Sequence, residues 1–121
     1  MLVYNDYLKD IGVKRTDFPF RSPHSKRLEK GMGVRPCQLW NLNYTLAMEL
    51  YTYICAFQDT TCCFPAYMKN PKEWDKILDE IKVGLVAYIQ TRDDPVPNEK
   101  VGEQLEKSLD LIKEYWGDLW Y

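Results

Sequence analysis

The sequence contains one histidine, His24, and none of the short signatures that carry common enzyme chemistry. The dinucleotide fingerprint G-x-G-x-x-G, the P-loop, H-E-x-x-H and the serine nucleophile elbow are all missing, so those activities lack their usual residues. Cysteine is sparse and poorly spaced for a metal. Cys37, Cys55, Cys62 and Cys63 include no C-x-x-C, adjacent cysteines rarely hold one ion together, and one histidine does not complete a zinc set. No metal and no cofactor are expected. There is no internal repeat and no low-complexity tract, and Met1 to Gly12 is polar and acidic where a secretory signal would be basic and then apolar. That pattern reads as a cytosolic protein with reduced thiols. A net charge of −2 argues against a generic nucleic-acid or membrane binder.

What is present suits one helical domain. A chain of 121 residues with 45% hydrophobic and 14% aromatic content can build a core and is not disordered in composition. Gln38 to Gln58 is the most apolar stretch. On a helical wheel Leu39, Leu42, Leu46, Leu50, Tyr53, Ile54 and Phe57 make one stripe, widened by Trp40, Ala47, Tyr51 and Cys55. Asn41, Thr45, Glu49 and Thr52 form a narrow polar seam. Such a helix needs neighbours on several sides, which predicts the centre of an all-α bundle. Its polar interruptions, above all the acid Glu49, argue against a membrane span.

Around it the sequence places three further helices. Tyr4, Tyr7, Leu8 and Ile11, with Gly12 as a stop, predict a short amino-terminal helix. Asn70, Pro71 and Glu73 read as cap, first position and capping-box acid of a helix whose stripe is Trp74, Ile77, Leu78, Ile81, Leu85, Tyr88 and Ile89. Gly84 inside it suggests close approach of a crossing helix, and Val83, Val86 and Ala87 leave an apolar back that fits a homodimer or burial under another segment. Asp59 to Met68 is a connection partly buried by Phe64. The last helix is expected from about Asn98 to Leu119, with Val101, Leu105, Leu109, Ile112, Trp116 and Leu119 as its buried stripe. The fold class is therefore a small all-α bundle of three long helices plus a short amino-terminal helix. Residues 1–36 carry that short helix and a basic irregular arm, and residues 37–121 form the bundle.

Charge is segregated between these parts. Met1 to Pro36 holds eight lysines and arginines against four acids, and the remainder holds eight against fourteen. Lys14, Arg15, Arg21, Lys26, Arg27 and Arg35 have the composition of a phosphate-contacting tail, although a solvated loop or a strap on the chain's own acidic helices is the plainer account. Glu99, Glu103, Glu106, Asp110, Glu114 and Asp118 follow steps of three and four along the last helix. A regular carboxylate array can occupy a basic nucleic-acid-binding groove on another protein, while a solvated helix face is the simpler alternative. Among the aromatics, Trp40, Trp74, Trp116 and Tyr115 lie in or beside apolar stripes. Trp120 and Tyr121 lie beyond them and suit a partner anchor. Cys37, just before a helix, with His24 or Arg35 nearby, is the one conceivable nucleophile. Core, linker and loop packing account more simply for Cys55, Cys37 and the Cys62-Cys63 pair. Asp75 with Asp79, and Asp93 with Asp94, read as exposed pairs.

The run Leu39-Trp40-Asn41-Leu42-Asn43-Tyr44-Thr45-Leu46-Ala47, then Phe64-Pro65-Ala66, then Glu73-Trp74-Asp75-Lys76-Ile77-Leu78-Asp79-Glu80, and a close at Tyr115-Trp116-Gly117-Asp118-Leu119-Trp120 form an ordered combination. It resembles a family of small uncharacterised helical proteins encoded in bacteriophage and prophage genomes, over Leu39 to Trp120. Cys37 and Cys62-Cys63 depart from that pattern, and the basic arm lies outside it. The resemblance implies a phage or prophage origin and a helical domain, which makes the cytosol expected from the thiols and the missing signal that of a bacterial host. It assigns no reaction and carries over no catalytic residue. The expectation is a non-enzymatic accessory protein that binds a host or host-defence macromolecule, a counter-defence inhibitor of a nucleic-acid-guided nuclease being one concrete form. The alternatives are direct nucleic-acid binding through the arm, and a virion or assembly component.

Overall fold

The computed structural model describes residues 2–15, 42–61, 63–92 and 98–119. Its regular elements are α1 (Asp6–Asp10), α2 (Leu42–Thr60), α3 (Pro71–Gln90), α4 (Glu99–Glu114) and a 3-10 turn at Trp116–Asp118. It is a small all-α bundle of three long helices and one short one. No described helix is long and apolar enough to cross a membrane.

The organising helix is α3, which corrects the expectation that Gln38 to Gln58 would be central. α3 packs against both α2 and α4, while α2 and α4 approach each other far less closely. Its stripe lies where the periodicity places it: Trp74, Leu78, Ile81, Leu85 and Ile89 are buried, with Ile77 and Tyr88 packed against their edge. The amino terminus is fixed by the Asn70 side chain, which accepts from the Glu73 backbone N–H at 3.1 Å. Glu73 reaches back to the Lys69 backbone N–H at 3.2 Å, one residue beyond the position a capping box would use. Pro71 begins the helix, where its missing donor costs nothing.

Gly84 meets α4 closely. A Cβ placed on it would collide with Ser108 Oγ and the Gln104 carbonyl oxygen, and would lie 2.9 Å from Ser108 Cβ. Glycine on one helix and serine on the other let the two backbones approach, and Ser108, 1% exposed, places its hydroxyl 3.4 Å from the Glu80 carbonyl oxygen. This contact rotates α4 relative to the expected stripe. Ser108 and Ile112 are buried, whereas Leu109 and Trp116 are exposed. α4 also stops at Glu114, capped by the Tyr115 N–H on the Leu111 and Lys113 carbonyls, and the chain tightens into the 3-10 turn instead of continuing as a helix to Leu119.

α2 is rotated as well. Its buried face is Thr45, Ala47, Met48, Tyr51, Ile54 and Cys55, so Thr45, expected in the polar seam, is inside, and Leu42, Leu46 and Tyr53 face water. That face mixes the small Ala47 and Cys55 with the larger Met48, Tyr51 and Ile54. Residues 38–41 lie outside the described residues. α1, too short to persist alone, is tied down by side chains: Asn5 caps it and donates to Thr52 Oγ1 at 3.2 Å, and Tyr7 donates to Asp59 at 2.7 Å. Gln90 donates to the Ile11 carbonyl at 3.3 Å, and Leu8 is fully buried. In the connection after α2 the buried residue is Met68, not Phe64, because the turn that brings the Met68 N–H onto the Pro65 carbonyl leaves the aromatic outside.

Candidate functional site

The carboxylate array forms a face. On α4 the glutamates Glu99, Glu103, Glu106 and Glu114, together with Asp110, are exposed. At 100° per residue they lie within about 80° of arc, opposite the buried Ser108. Their position follows from the Gly84–Ser108 crossing, which fixes the rotation of α4 and turns these groups to solvent. Lys100, Lys107 and Lys113 are exposed on the same helix. An ion pair is formed elsewhere, from Lys82 to Asp79 at 3.4 Å.

Asp118 stands apart from the other five. It is half-buried in the 3-10 turn and accepts a hydrogen bond from the Tyr67 hydroxyl at 2.5 Å. That bond, helped by the negative charge of Asp118, pushes the Tyr67 phenol up to about 12. Because the folded value is raised above the ordinary 10.0, the contribution to stability is complete below pH 10 and is lost as pH rises through 12. In an alkaline titration followed by phenolate absorbance, Tyr67→Phe is expected to remove one late-ionising group. Asp118→Asn should return Tyr67 toward 10. An Asp118→Asn titration identical to the parent's, or a group lost at the ordinary phenol pH in Tyr67→Phe, would show that the bond is not made in solution.

The remaining sequence candidates are dispersed. Lys14 and Arg15 are exposed, and the Arg15 guanidinium lies 5.9 Å above the Tyr4 ring. Arg21, Lys26, Arg27, Arg35, Trp120 and Tyr121 lie outside the described residues, as do His24, Cys37, Cys62, Asp93 and Asp94. Cys55 is buried, and burial pushes its thiol up, which disfavours the reactive thiolate. Cys63 is exposed. Asp79 accepts from the Gln58 amide at 3.1 Å, with Asp75 3.5 Å from the same nitrogen, so this acid pair sits on an α2–α3 polar contact. No group of three His, Cys, Asp or Glu among the described residues is placed to hold a metal ion. Of the apolar back of α3, Val83 is exposed while Val86 and Ala87 are half-buried.

Periodicity alone did not single out a second surface. Between α2 and α4 runs a groove of about 470 Å³, lined by Leu50, Tyr53, Ile54, Ala56, Phe57 and Thr60 on one side and by Ile112, Trp116 and Leu119 on the other. The signal was the helix itself: α2 is apolar round most of its circumference, and among the described residues α1 and α3 cover only part of it. In comparisons with known proteins, no family model, no curated protein and no solved structure matches this chain.

Proposed function

We propose that this chain is a non-enzymatic accessory protein, of the phage-encoded kind it resembles, that works by binding a host or host-defence macromolecule. The carboxylate face of α4 is its contact. The observation that carries this reading is the exposure of Glu99, Glu103, Glu106, Asp110 and Glu114 on one side of a helix whose other side is fixed to α3. Carboxylates held at helical spacing on a supported helix complement a basic, nucleic-acid-binding surface and speed encounter with it. Occlusion of a nucleic-acid-guided nuclease is one form such binding would take.

The test is a pull-down of the tagged full chain from its bacterial host, with and without nuclease, beside the triple variant Glu103→Gln, Glu106→Gln, Asp110→Gln. A specific protein is expected to remain after nuclease, and the variant should bind it at least about tenfold more weakly. That deficit should come mainly from slower association and shrink as salt is raised. Recovery of nucleic acid alone, lost on digestion and on replacing Lys14, Arg15, Lys26 and Arg27 by alanine, would replace this reading with direct nucleic-acid binding. Co-purification with virus particles would make the protein an assembly component.

A further inference from the structure

We infer that the hydrogen bond from Tyr67 to Asp118 is a latch on the carboxylate face. It holds the end of α4 as a 3-10 turn; an arginine of the partner that takes over Asp118 lets the last residues rewind as α-helix and adds a sixth acid to the row. The inference rests on the reading of α4 as the contact and adds how that contact is regulated.

Winding decides which way Asp118 faces. In a 3-10 turn residues three apart eclipse, so Asp118 stands over Tyr115, which lines one cavity with Tyr67. An α-helix turns about 100° per residue, and the same three steps place Asp118 about 60° back toward Glu114. At the radius of a carboxylate that is about 6 Å. The bond from the Tyr67 hydroxyl, 2.5 Å long, does not survive such a displacement. The helical position continues the acids, because Asp118 is four residues beyond Glu114 as Glu114 is beyond Asp110.

The backbone allows the change at low cost. The Tyr115 N–H already bonds the Leu111 carbonyl four residues back, whereas the Asp118 and Leu119 N–H groups bond Tyr115 and Trp116, three back, at 2.9 and 3.3 Å. Rewinding exchanges these two bonds for bonds to Glu114 and Tyr115, with none lost. One side-chain contact is then enough to choose between the windings. Tyr67 is 67% exposed and Asp118 half-buried, so their bond competes with other donors. A guanidinium outcompetes a phenol, because it is charged and offers two parallel N–H groups to one carboxylate.

Nuclear magnetic resonance of the full chain reads the winding through the Cα shifts of residues 116–119. In the unliganded parent these should fall short of α-helical values. Tyr67→Phe, which removes only the hydroxyl, should move them toward helical values without any ligand. Nona-arginine, the probe for a basic partner surface, should do the same to the parent. It should bind Tyr67→Phe about threefold more tightly, since less of that chain is latched. Asp118→Asn, which loses the latch and the sixth acid together, should bind it no more tightly than the parent. Helical shifts in the unliganded parent, or Tyr67→Phe shifts and affinity equal to the parent's, would overturn the latch and leave the carboxylate face standing. Nona-arginine binding unchanged by Glu103→Gln, Glu106→Gln, Asp110→Gln would remove the face as the contact, while the unliganded Tyr67→Phe shifts still decide whether the turn is latched.

Discussion

Gly84→Ala is expected to destabilise the protein by about 1–3 kcal/mol, although alanine is the better helix former by roughly 1 kcal/mol. The reason is the crossing with α4. The added methyl group meets Ser108 and the Gln104 carbonyl oxygen, and the carbonyl is backbone, so no side-chain rotation relieves it. α4 must move away from α3, which loosens the packing around the buried Ser108 at the same crossing. Gly102→Ala is the internal control. That glycine lies within α4 with nothing near its missing Cβ, and the same substitution should stabilise by about 0.5–1 kcal/mol. Urea unfolding of the two variants checks the pair. Equal signs would show that the α3–α4 approach is wider than the structure has it, and Ser108→Gly should recover only part of the loss.

Trp74→Ala should cost more, about 3–5 kcal/mol, a large part of the 5–15 kcal/mol by which domains are usually stable. Trp74 is 2% exposed, and its ring meets Phe57 of α2 edge-on at 6.3 Å and Tyr115, at the end of α4, at 5.7 Å. One side chain therefore joins all three long helices at one end of the bundle. Its removal leaves a cavity and breaks two aromatic contacts together, each worth about 0.5–1.5 kcal/mol beyond burial. Trp74→Phe should keep part of this. Trp116→Ala should change stability by no more than about 0.5 kcal/mol, since that ring is 70% exposed. A Trp74→Ala protein that unfolds at nearly the same urea concentration as the parent would remove Trp74 from the centre of the core.

Where a helix has one apolar stripe and a capping signal, its place was legible in the sequence. α3 begins at Pro71 behind Asn70, buries Trp74 to Ile89 on the expected face, and meets α4 at Gly84. The short α1 and its stop at Gly12, which takes φ 88°, were legible in the same way. α2 was not, because it has two apolar rows. Periodicity cannot say which row meets the neighbour when both are hydrophobic, and the buried row is the one with Ala47, Met48, Tyr51 and Cys55. In α4 a serine took the buried centre from Leu109, since only a small side chain fits against Gly84.

By itself the sequence determined the all-α class, the helices of the described residues and the alignment of the acids along α4, because these follow from spacing within single segments. Only the tertiary structure decided that α3 is the hub, that Asp118 leaves the acidic array to bond Tyr67, and that among the described residues an apolar groove runs between α2 and the end of α4. Those outcomes depend on how closely helices far apart in the chain approach, which is set by the size of the few side chains at each crossing. A helical wheel carries no information about that distance.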